Sequence, residues 1–444
     1  MTAREIALAV VRDVFPPADS RTPGRGAQES LDYRSRKARA DARDRAFATE
    51  LAYGSIKMRR ALDWYLSPFL GERSKTLPAA THEIVRLAMY ELAYTRADAH
   101  ATVFEFVNLA KRFGHRGLAN LVNAVLREFL RRLAAPPVRE SFDDVDDYLG
   151  TRYSLPNWLV RQWRECFGEG VEAVCAAVND PARLAITVDT GRASPEAVAE
   201  RLSESGISTV PSALVAESLL LESGSGRVHD LETASHGAWW IQSESAAMAA
   251  DVLDPHPGET ILDVCSGRGN KALQIGARLR GDGRLACIER DARKAAVLRT
   301  RLESNGVAAE ILVADATGEA ATHPLFDRAL IDAPCSGVGV VGRHPEARWK
   351  KRATDGERLA VTQRALLERT ARSVREGGVL VYAVCSTDPR ETTEVMQWFL
   401  SRENFVRGPV PAVYESFSTA AGDLLIPPGI AGRDGFFIAR LERR

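Results

Sequence analysis

The sequence predicts a multidomain protein in which an all-α bundle precedes a small α+β linker domain and an α/β domain with a doubly wound parallel sheet. Length is the first observation, because 444 residues are enough for about two to four domains. Apolar residues recur at helical intervals up to about residue 134, and strand-like and helical segments alternate from about residue 245. We therefore place the domains at residues 1–135, 136–240 and 241–444.

The N-terminal domain is predicted to be helical, apart from one long loop. Residues 3–15 follow a helical pattern, whereas residues 16–40 are rich in Pro, Gly, Ser and Arg and are predicted to form a mobile loop. Helical periodicity then runs from about residue 42 to 134. The domain carries about 23 Lys and Arg against about 15 Asp and Glu, so it is basic, and a solvated basic face is the simplest interpretation of that excess.

The linker domain begins with an acidic, loop-like stretch and continues with helices around residue 158 and over residues 171–178. Residues 183–188 form a predicted strand, and residues 194–205 form a helix with Ser194 as N-cap and a proline at its first position. Two short apolar runs follow before residue 242. These features predict an α+β domain.

In the C-terminal domain, strands and helices alternate at the spacing of βα units, which favours parallel strands with helices on both faces. Predicted strands cover residues 260–264, 284–288, 310–313, 329–331, 379–384 and 436–440. Predicted helices cover residues 271–279, 292–305, 359–374 and 391–400. Open α/β sheets bind ligands at the carboxyl ends of their strands, so functional residues are expected in the turns that follow the strands.

Composition excludes several classes of protein. Lys and Arg together number 59, as do Asp and Glu, so net charge does not indicate a nucleic-acid partner. The six cysteines show neither a CxxC pair nor metal-ligand spacing, which predicts no metal site and fits a reducing cytoplasm better than a disulfide scaffold. The sequence contains no signal-peptide pattern and no long apolar stretch, so we expect a cytoplasmic protein without a membrane partner.

A glycine-bearing turn between the first strand of this sheet and its helix predicts a nucleoside site. Glycines let backbone amides approach a ligand, and a helix N-terminus favours an anionic group. The pattern is neither GxGxxG nor a P-loop, so a dinucleotide fold is not indicated. Asp263, just before the turn, is compatible with an ordinary residue at a strand end. The turn consists of Cys265, Ser266, Gly267, Arg268, Gly269, Asn270 and Lys271.

Two acidic residues extend the predicted nucleoside site. Glu289 ends the second strand about 20 residues after the turn, where an acidic side chain can bind ribose hydroxyls. Asp315 follows the third strand and can accept a hydrogen bond from an adenine amino group. The simpler interpretations are a helix cap, which we expect of Asp291, and a solvated loop. S-adenosylmethionine (SAM) fits a nucleoside site without an NAD-type glycine pattern and is the predicted cofactor.

Two cysteines are the most informative residues of the chain. Cys335 lies in Asp-Ala-Pro-Cys-Ser-Gly and Cys385 lies in Val-Cys-Ser, each after a buried strand, so a parallel sheet would place both thiols at its carboxyl edge. Paired thiols suit methylation of a pyrimidine. A thiolate that adds to C6 makes C5 nucleophilic toward a methyl donor, and a second thiol can assist release. Either cysteine taken alone is more often a buried structural thiol.

Together these motifs resemble those of the Sun-type RNA cytosine-C5 methyltransferases. The resemblance covers nearly the whole chain, and the cysteine pair is its most specific part. Residues 90–96 and 121–127 resemble a NusB-like RNA-binding domain, and residues 434–439 resemble the final strand of a Rossmann-like methyltransferase domain. The resemblance implies SAM-dependent methylation of carbon 5 of a cytosine, with 16S ribosomal RNA as the expected partner. We expect the protein to be a monomer.

The resemblance also implies a role for each matched residue. Cys385 would be the nucleophile that attacks C6, and Cys335 would assist product release. Asp332 would lie beside the cofactor and the cytosine, and Lys271 near the methionine part of SAM or the target base. The two acidic residues described above would hold the ribose and the adenine.

The cofactor turn departs from the family pattern, which is usually Cys-Ala-Ala-Pro-Gly-Gly-Lys. Arg268 and Asn270 replace the proline and the second glycine of that pattern. The altered turn is the best support for an alternative function, a non-catalytic RNA-binding assembly factor. Retention of both thiols and of the acidic residues favours the enzyme. Among enzymes, the alternative is the same chemistry on transfer RNA or at another ribosomal position.

RNA contacts are predicted in the basic segment that follows the first cysteine. Sequence-specific recognition favours unstacked bases, so the target cytosine has to be turned out of its stack. Phosphate-binding charge and one aromatic ring for stacking would serve this purpose. A solvated basic loop is an equally simple interpretation. The candidate residues are Arg343, Arg348, Trp349 and Lys350.

Overall fold

The computed structural model describes residues 1–17, 20, 23–71, 77–132, 136–224, 226, 228–318 and 325–444. They belong to two compact units. The helical unit consists of residues 1–179 together with the distant segment 343–350. The sheet unit consists of residues 180–342 and 351–444 and contains both β-sheets.

The helical unit confirms the predicted all-α N-terminal domain. Its first helix begins at a capping box, in which Thr2 Oγ1 accepts from the Glu5 amide (3.3 Å) and the Glu5 carboxylate accepts from the Thr2 amide (2.9 Å). Leu51, Leu87 and Phe106 are fully buried in its core. The helices are α1 (Ala3–Val14), α2 (Ala27–Ala38), α3 (Ala42–Lys57), α4 (Arg59–Leu70), α5 (Ala79–Tyr94), α6 (Ala99–Phe113), α7 (Arg116–Arg132), α8 (Val145–Arg152), α9 (Asn157–Phe167) and α10 (Val171–Ala177).

Helix α2 corrects the mobile loop that was predicted for residues 16–40. Asp13 of α1 accepts hydrogen bonds from Ser30 (2.6 Å) and from Arg34 (2.6 and 2.8 Å) of α2, and Leu31 is buried between the helices. Most residues of α2 are polar, so these contacts stabilise the helix and apolar periodicity could not predict it. Residues 18, 19, 21 and 22 of the predicted loop lie outside the described residues.

A small antiparallel sheet opens the sheet unit. Its strand order is β2-β3-β1-β4, and Ile186 and Leu219 pair within its core. Helices α8–α10 fall within the helical unit, and they lie in the stretch 136–240 that was predicted as the linker domain. The elements are β1 (Ala185–Val188), α11 (Pro195–Glu204), β2 (Thr209–Pro211), β3 (Ser218–Leu221), α12 (Val228–Ala234) and β4 (Trp239–Ile241).

The large sheet has the order β10-β12-β9-β8-β5-β6-β7, with β11 paired to β12. Strands β5 to β9 pair in parallel, and β12 runs antiparallel to β9. The elements are α13 (Glu244–Leu253), β5 (Thr260–Val264), α14 (Asn270–Leu279), β6 (Arg284–Ile288), α15 (Ala292–Ser304), β7 (Glu310–Leu312), β8 (Phe326–Asp332), α17 (Asp355–Ala371), β9 (Val374–Val384), α18 (Thr393–Leu400), β10 (Phe405–Arg407), β11 (Leu424–Ile426) and β12 (Phe436–Arg443). The short helix α16 (Ala347–Lys350), which lies between β8 and α17 in the chain, belongs to the helical unit.

Both faces of the large sheet are buried, as a doubly wound fold requires. Alternate residues of one strand enter different cores: Ile261 packs in one and Leu262 in the other. The six predicted strands are all present. The helix predicted over residues 359–374 spans Asp355–Ala371 instead, because Val374 already opens β9. Strands β10 and β11 were not predicted, since three residues each are too few to establish a period.

Two kinds of feature are lacking in the described part of the chain. No helix there is both long and apolar enough to cross a membrane. Nor does a group of three or more His, Cys, Asp or Glu side chains there form a metal-binding cluster.

Candidate active site

The topology of the large sheet brings the two candidate catalytic cysteines together. β8 and β9 are neighbouring parallel strands, with Asp332 opposite Ala383. Cys335 follows β8 and Cys385 follows β9, so both thiols lie at the carboxyl edge of the sheet. Their Sγ atoms are 3.3 Å apart, and both residues are free, partly exposed cysteines.

The two thiols differ in their electrostatic surroundings. The hydrogen bond to Cys385, together with burial, raises the pKa of Cys335 well above its usual range. The carboxylates of Glu391 and Asp332 act in the same direction. In contrast, the ammonium group of Lys271 interacts favourably with a negatively charged Cys385. These surroundings favour a neutral Cys335 and place the Lys271 ammonium group near the Cys385 sulfur.

Lys271 is held between a carboxylate and an aromatic ring. Its Nζ donates to Asp332 Oδ2 at 2.7 Å and lies 5.4 Å from the centroid of the Phe436 ring. Burial opposes the charge of this ammonium group, but the Asp332 carboxylate more than compensates and raises the pKa of Lys271. Lys271 is therefore a fixed positive charge at the thiol edge. Phe436 was predicted only as part of the final strand, because an apolar strand residue gives no sign of a cation contact.

The cofactor turn between β5 and α14 has a backbone that requires glycine at one position. Gly269 has a φ of +91°, and a Cβ atom there would lie 2.6 Å from Leu298 Cδ1. The Ser266 amide donates to the Ile288 carbonyl (3.1 Å), and the Gly269 amide donates to the Ser266 carbonyl (2.9 Å). These bonds fix the path of the turn against β6.

Asn270 gives the departure from the family pattern a structural explanation. Its Nδ2 donates to the Ile241 carbonyl (3.1 Å), and its Oδ1 accepts from Arg301 (2.5 Å). The same Arg301 group donates to the Arg268 carbonyl at 3.2 Å. Asn270 thus joins the turn to β4 and α15, while the Arg268 side chain is exposed. Arg301 was not predicted, because a helical arginine 31 residues from Asn270 carries no motif.

Glu289 and Asp315 line one cavity of about 310 Å³ beside this turn. Glu289 is buried and accepts hydrogen bonds from the Gly267 amide (2.9 Å) and the Asp291 amide (2.8 Å). Asp315 accepts from the amide and hydroxyl of Thr317 (2.9 and 2.7 Å). Apolar side chains, among them those of Ile288 and Leu366, complete the lining. The predicted ribose and adenine residues therefore border the same cavity, and Asp291 caps α15 as expected.

A second cavity, of about 490 Å³, borders the turn on the side of Lys271 and Arg301. Cys265, Gly267 and Asp332 line both cavities. Asp263 also borders the second one: it is fully buried, and neither carboxylate oxygen has a hydrogen-bond partner among the described residues. Burial raises its pKa to about 7. A buried carboxylate without a geometric hydrogen-bond partner is uncommon in proteins, and the position of Asp263 at a strand end did not reveal this burial.

The predicted RNA-binding segment has a different role in the structure. Residues 343–350 belong to the helical unit, and Arg348 is 1% exposed. Its guanidinium donates to the Val178 carbonyl (2.9 Å), the Ser154 carbonyl (3.2 Å) and Asn179 Oδ1 (2.8 Å). These bonds replace the predicted phosphate contact, because a side chain bonded in this way is not available to RNA.

Trp349 and Lys350, two other candidates of that segment, also donate hydrogen bonds within the helical unit. Trp349 Nε1 donates to the Ile56 carbonyl (2.7 Å), and Lys350 Nζ donates to the Arg25 carbonyl (2.7 Å). Arg343 is partly buried. The charges and the single aromatic ring of residues 343–350 suggested a surface loop. In the structure, the same side chains form hydrogen bonds that hold the segment among helices.

Strand order, the turn after β5 and the acidic residues that follow β6 and β7 define a SAM-dependent methyltransferase of the Rossmann-like class. Residues 250–442 match the family model described as 16S rRNA methyltransferase RsmB/F. Residues 1–131 match the NusB family, and residues 155–228 match the ferredoxin-like domain of RsmF/B-like methyltransferases. The chain belongs to the RsmB/F family of ribosomal RNA methyltransferases.

Similar proteins extend over the full length of the chain. The probable ribosomal RNA small subunit methyltransferase B of Synechocystis sp. is 33% identical over 456 residues, which covers 100% of both chains. The protein of the same name in Bacillus subtilis is 31% identical and covers 90% of this chain and 91% of its own. The crystal structure of PH0851 has a TM-score of 0.80 at 24% identity, with 100% of this chain and 99% of that chain covered, so the fold is shared.

Proposed function

We propose that this protein transfers a methyl group from SAM to carbon 5 of a cytosine in 16S ribosomal RNA. The observation that carries the proposal is the pair of free thiols, 3.3 Å apart, beside the ion pair of Lys271 and Asp332. The RNA substrate is supported by the relatives, which are named ribosomal RNA small subunit methyltransferase B, and by the family model described as 16S rRNA methyltransferase RsmB/F.

Cys385 is the proposed nucleophile. Carbon 5 of cytosine reacts poorly until a thiolate adds to C6 and makes C5 enamine-like. The Cys385 sulfur forms the bond to C6, and C5 then takes the electrophilic methyl group that bound SAM supplies. A base then removes the C5 proton, the C5–C6 double bond re-forms, and the S–C6 bond breaks with its electron pair returning to the Cys385 sulfur. The charge of Lys271 supports this role, since it stabilises the thiolate both before attack and after release.

Cys335 is proposed to assist the release of the product. Its raised pKa keeps the proton on its sulfur. From 3.3 Å, this S–H group can donate a hydrogen bond to the Cys385 sulfur as negative charge returns there. The Asp332 side chain is 35% exposed, and only one of its carboxylate oxygens binds Lys271. The carboxylate can therefore also accept a hydrogen bond from the cytosine amino group.

The two cavities beside the turn fit the parts of SAM. Glu289, Asp315 and the apolar side chains around them would hold the adenosine. Asp263, whose carboxylate oxygens are unpaired among the described residues, would face the methionyl ammonium group, because a cation there would compensate its buried charge. Lys271 and the amides of the turn would complete the site.

Mapping of 5-methylcytosine tests the reaction and the substrate together. Bisulfite sequencing of total RNA from cells with and without this protein is expected to reveal one 16S position that loses its methyl group. The purified protein with SAM should restore that mark on 16S RNA from the deficient cells. Loss of a mark in transfer RNA alone would contradict the 16S assignment.

Calorimetry distinguishes the enzyme from an assembly factor. The purified protein is expected to bind SAM with a micromolar dissociation constant, about −8 kcal/mol. An Asp315→Asn variant, altered at the proposed adenine contact, should bind more weakly. Absence of binding at millimolar SAM would favour a non-catalytic RNA-binding protein.

A further inference from the structure

We propose that Glu391 is a positioning residue that sets the separation of the two thiols, an inference that rests on the proposed function of the cysteine pair. Glu391 ends the short turn Pro389–Glu391 and is fully buried. Its Oε1 accepts from the Ser336 amide (2.8 Å) and from Gln363 Nε2 (3.0 Å). Its Oε2 accepts from the Ser386 hydroxyl (2.6 Å) and from the Ser336 hydroxyl.

The positions of the two serines give these bonds their meaning. Ser336 directly follows Cys335, and Ser386 directly follows Cys385. Both serines are buried, and their Oγ atoms are 3.0 Å apart. A single carboxylate therefore binds the residue next to each thiol. This fixes the turn after β8 relative to the turn after β9 at the point where the two sulfurs meet.

Two further contacts make this arrangement rigid. The Tyr382 hydroxyl of β9 donates to the Glu391 carbonyl at 2.7 Å. Gln363 of α17, besides binding the carboxylate, donates to the Pro334 carbonyl at 3.0 Å. The turn with Cys335 is thus held on both sides of its sulfur. Buried hydrogen-bond networks of this kind are costly to disrupt, because each lost partner leaves an unsatisfied group.

A carboxylate suits this position because each oxygen receives two donors. Glutamine offers one acceptor oxygen and one NH₂ group, but serine hydroxyls can also accept, so Glu391→Gln can keep a bond to both serines. Alanine cannot bond either serine. The conservative variant is therefore expected to preserve the thiol geometry, and Glu391→Ala is expected to relax it.

The test compares Glu391→Ala and Glu391→Gln with a matched control, Asp423→Ala. Asp423 is a carboxylate as buried as Glu391, but it binds Arg407 of β10 (3.0 and 2.9 Å) and neither cysteine turn. The first readout is geometric and needs neither RNA nor SAM. Diamide oxidises two adjacent thiols to a disulfide and takes up their two protons and two electrons. Mass spectrometry then measures the rate at which the Cys335–Cys385 disulfide forms.

Glu391→Ala should form this disulfide about tenfold more slowly than wild type, because the effective concentration of one thiol near the other falls. Methyl transfer should show a fall in kcat of about 100-fold with an unchanged KM for SAM, as expected for misplacement of a reacting group. Glu391→Gln should recover most of both rates, and Asp423→Ala should match wild type in the disulfide assay.

Equal disulfide rates in Glu391→Ala and Asp423→Ala would overturn the proposal, and so would a glutamine variant as slow as the alanine variant. If Glu391→Ala does not fold, Ser386→Ala serves as a second variant, because it removes one of the hydrogen bonds to Glu391. It should slow disulfide formation by a smaller factor, and an unchanged rate in this variant would also overturn the proposal. Wild-type protein that fails to methylate cytosine would refute the proposed function, while the disulfide comparison would still test Glu391.

Discussion

The cysteine turns and the cofactor turn lie at the same edge of the large sheet, but they are held by different kinds of contact. The turns after β8 and β9 share a buried carboxylate, Glu391, whereas the turn after β5 is fixed by backbone bonds and by the partly exposed Asn270 and Arg301. A buried polar contact that is lost leaves an unsatisfied group, while water can replace a partly exposed one. The difference explains why the cofactor turn accommodates departures from the family pattern.

The largest expected effect distinguishes the roles of the two cysteines. Cys385→Ala should lower methyl transfer by about 10⁴-fold or more, because the proposed nucleophile is lost. Cys335→Ala should retain the attack and accumulate a covalent enzyme–RNA adduct, because release is slowed. Methylation assays and denaturing gels measure these outcomes. Adduct formation by Cys385→Ala but not by Cys335→Ala would reverse the assignment, and Cys166→Ala, distant in sequence from both turns, serves as the control.

The next effect concerns the backbone of the cofactor turn. Gly269→Ala should destabilise the protein by about 2–3 kcal/mol, since it combines a positive φ with a clash against Leu298. Gly267→Ala is the matched control: its φ is +59°, but its Cβ would meet nothing nearer than 3.9 Å, so the loss should be about 1 kcal/mol. Urea unfolding measures both. Equal losses would mean that packing against Leu298 does not limit the turn.

Asn270→Gly, which restores the family residue, is expected to weaken SAM binding roughly tenfold, about 1.4 kcal/mol, because it removes the bonds to Ile241 and Arg301. Asn404→Gly is the control, since Asn404 is an exposed asparagine bonded to the Arg444 carbonyl. Calorimetry compares the two variants. Unchanged or tighter binding in Asn270→Gly would show that water replaces these contacts without cost.

The smallest effect depends on pH. Burial raises the pKa of Asp263 from its ordinary value of 3.8 to about 7. Between about pH 4 and pH 7, the Asp263 carboxyl is therefore protonated in the folded state but ionised in the unfolded state. The stability associated with this proton is present below about pH 4 and is lost as pH rises toward 7. Asp263→Asn, which cannot ionise, should therefore gain about 1 kcal/mol over wild type at pH 6 relative to pH 5.

Urea unfolding at both pH values checks this expectation. Asp282→Asn is the control, because Asp282 is exposed in the loop before β6 and the change should affect stability equally at pH 5 and pH 6. The Asp263 variant should also bind SAM more weakly despite its greater stability. A variant whose stability relative to wild type does not change with pH would show that Asp263 is solvated.

Much of the fold could be predicted because the strands of a covered parallel sheet are short apolar runs. Strands such as β5 and β6 begin and end at the predicted residues. Helix α2 could not be predicted, since most of its residues are polar and its contacts with α1 include the ion pair between Asp13 and Arg34. The basic segment at Arg348 was misread for a related reason: charge in a sequence does not reveal whether a partner lies in the protein or in a ligand.

The sequence by itself determined the strand-turn order, the two Cys-Ser motifs and the acidic residues after β6 and β7, because each depends on residues close together in the chain. Only the tertiary structure decided that the Sγ atoms lie 3.3 Å apart, that Glu391 binds both cysteine turns, and that Arg301 supports Asn270. Those contacts join residues 5 to 55 positions apart. Their geometry depends on which strands become neighbours, and that is set by packing of the whole sheet.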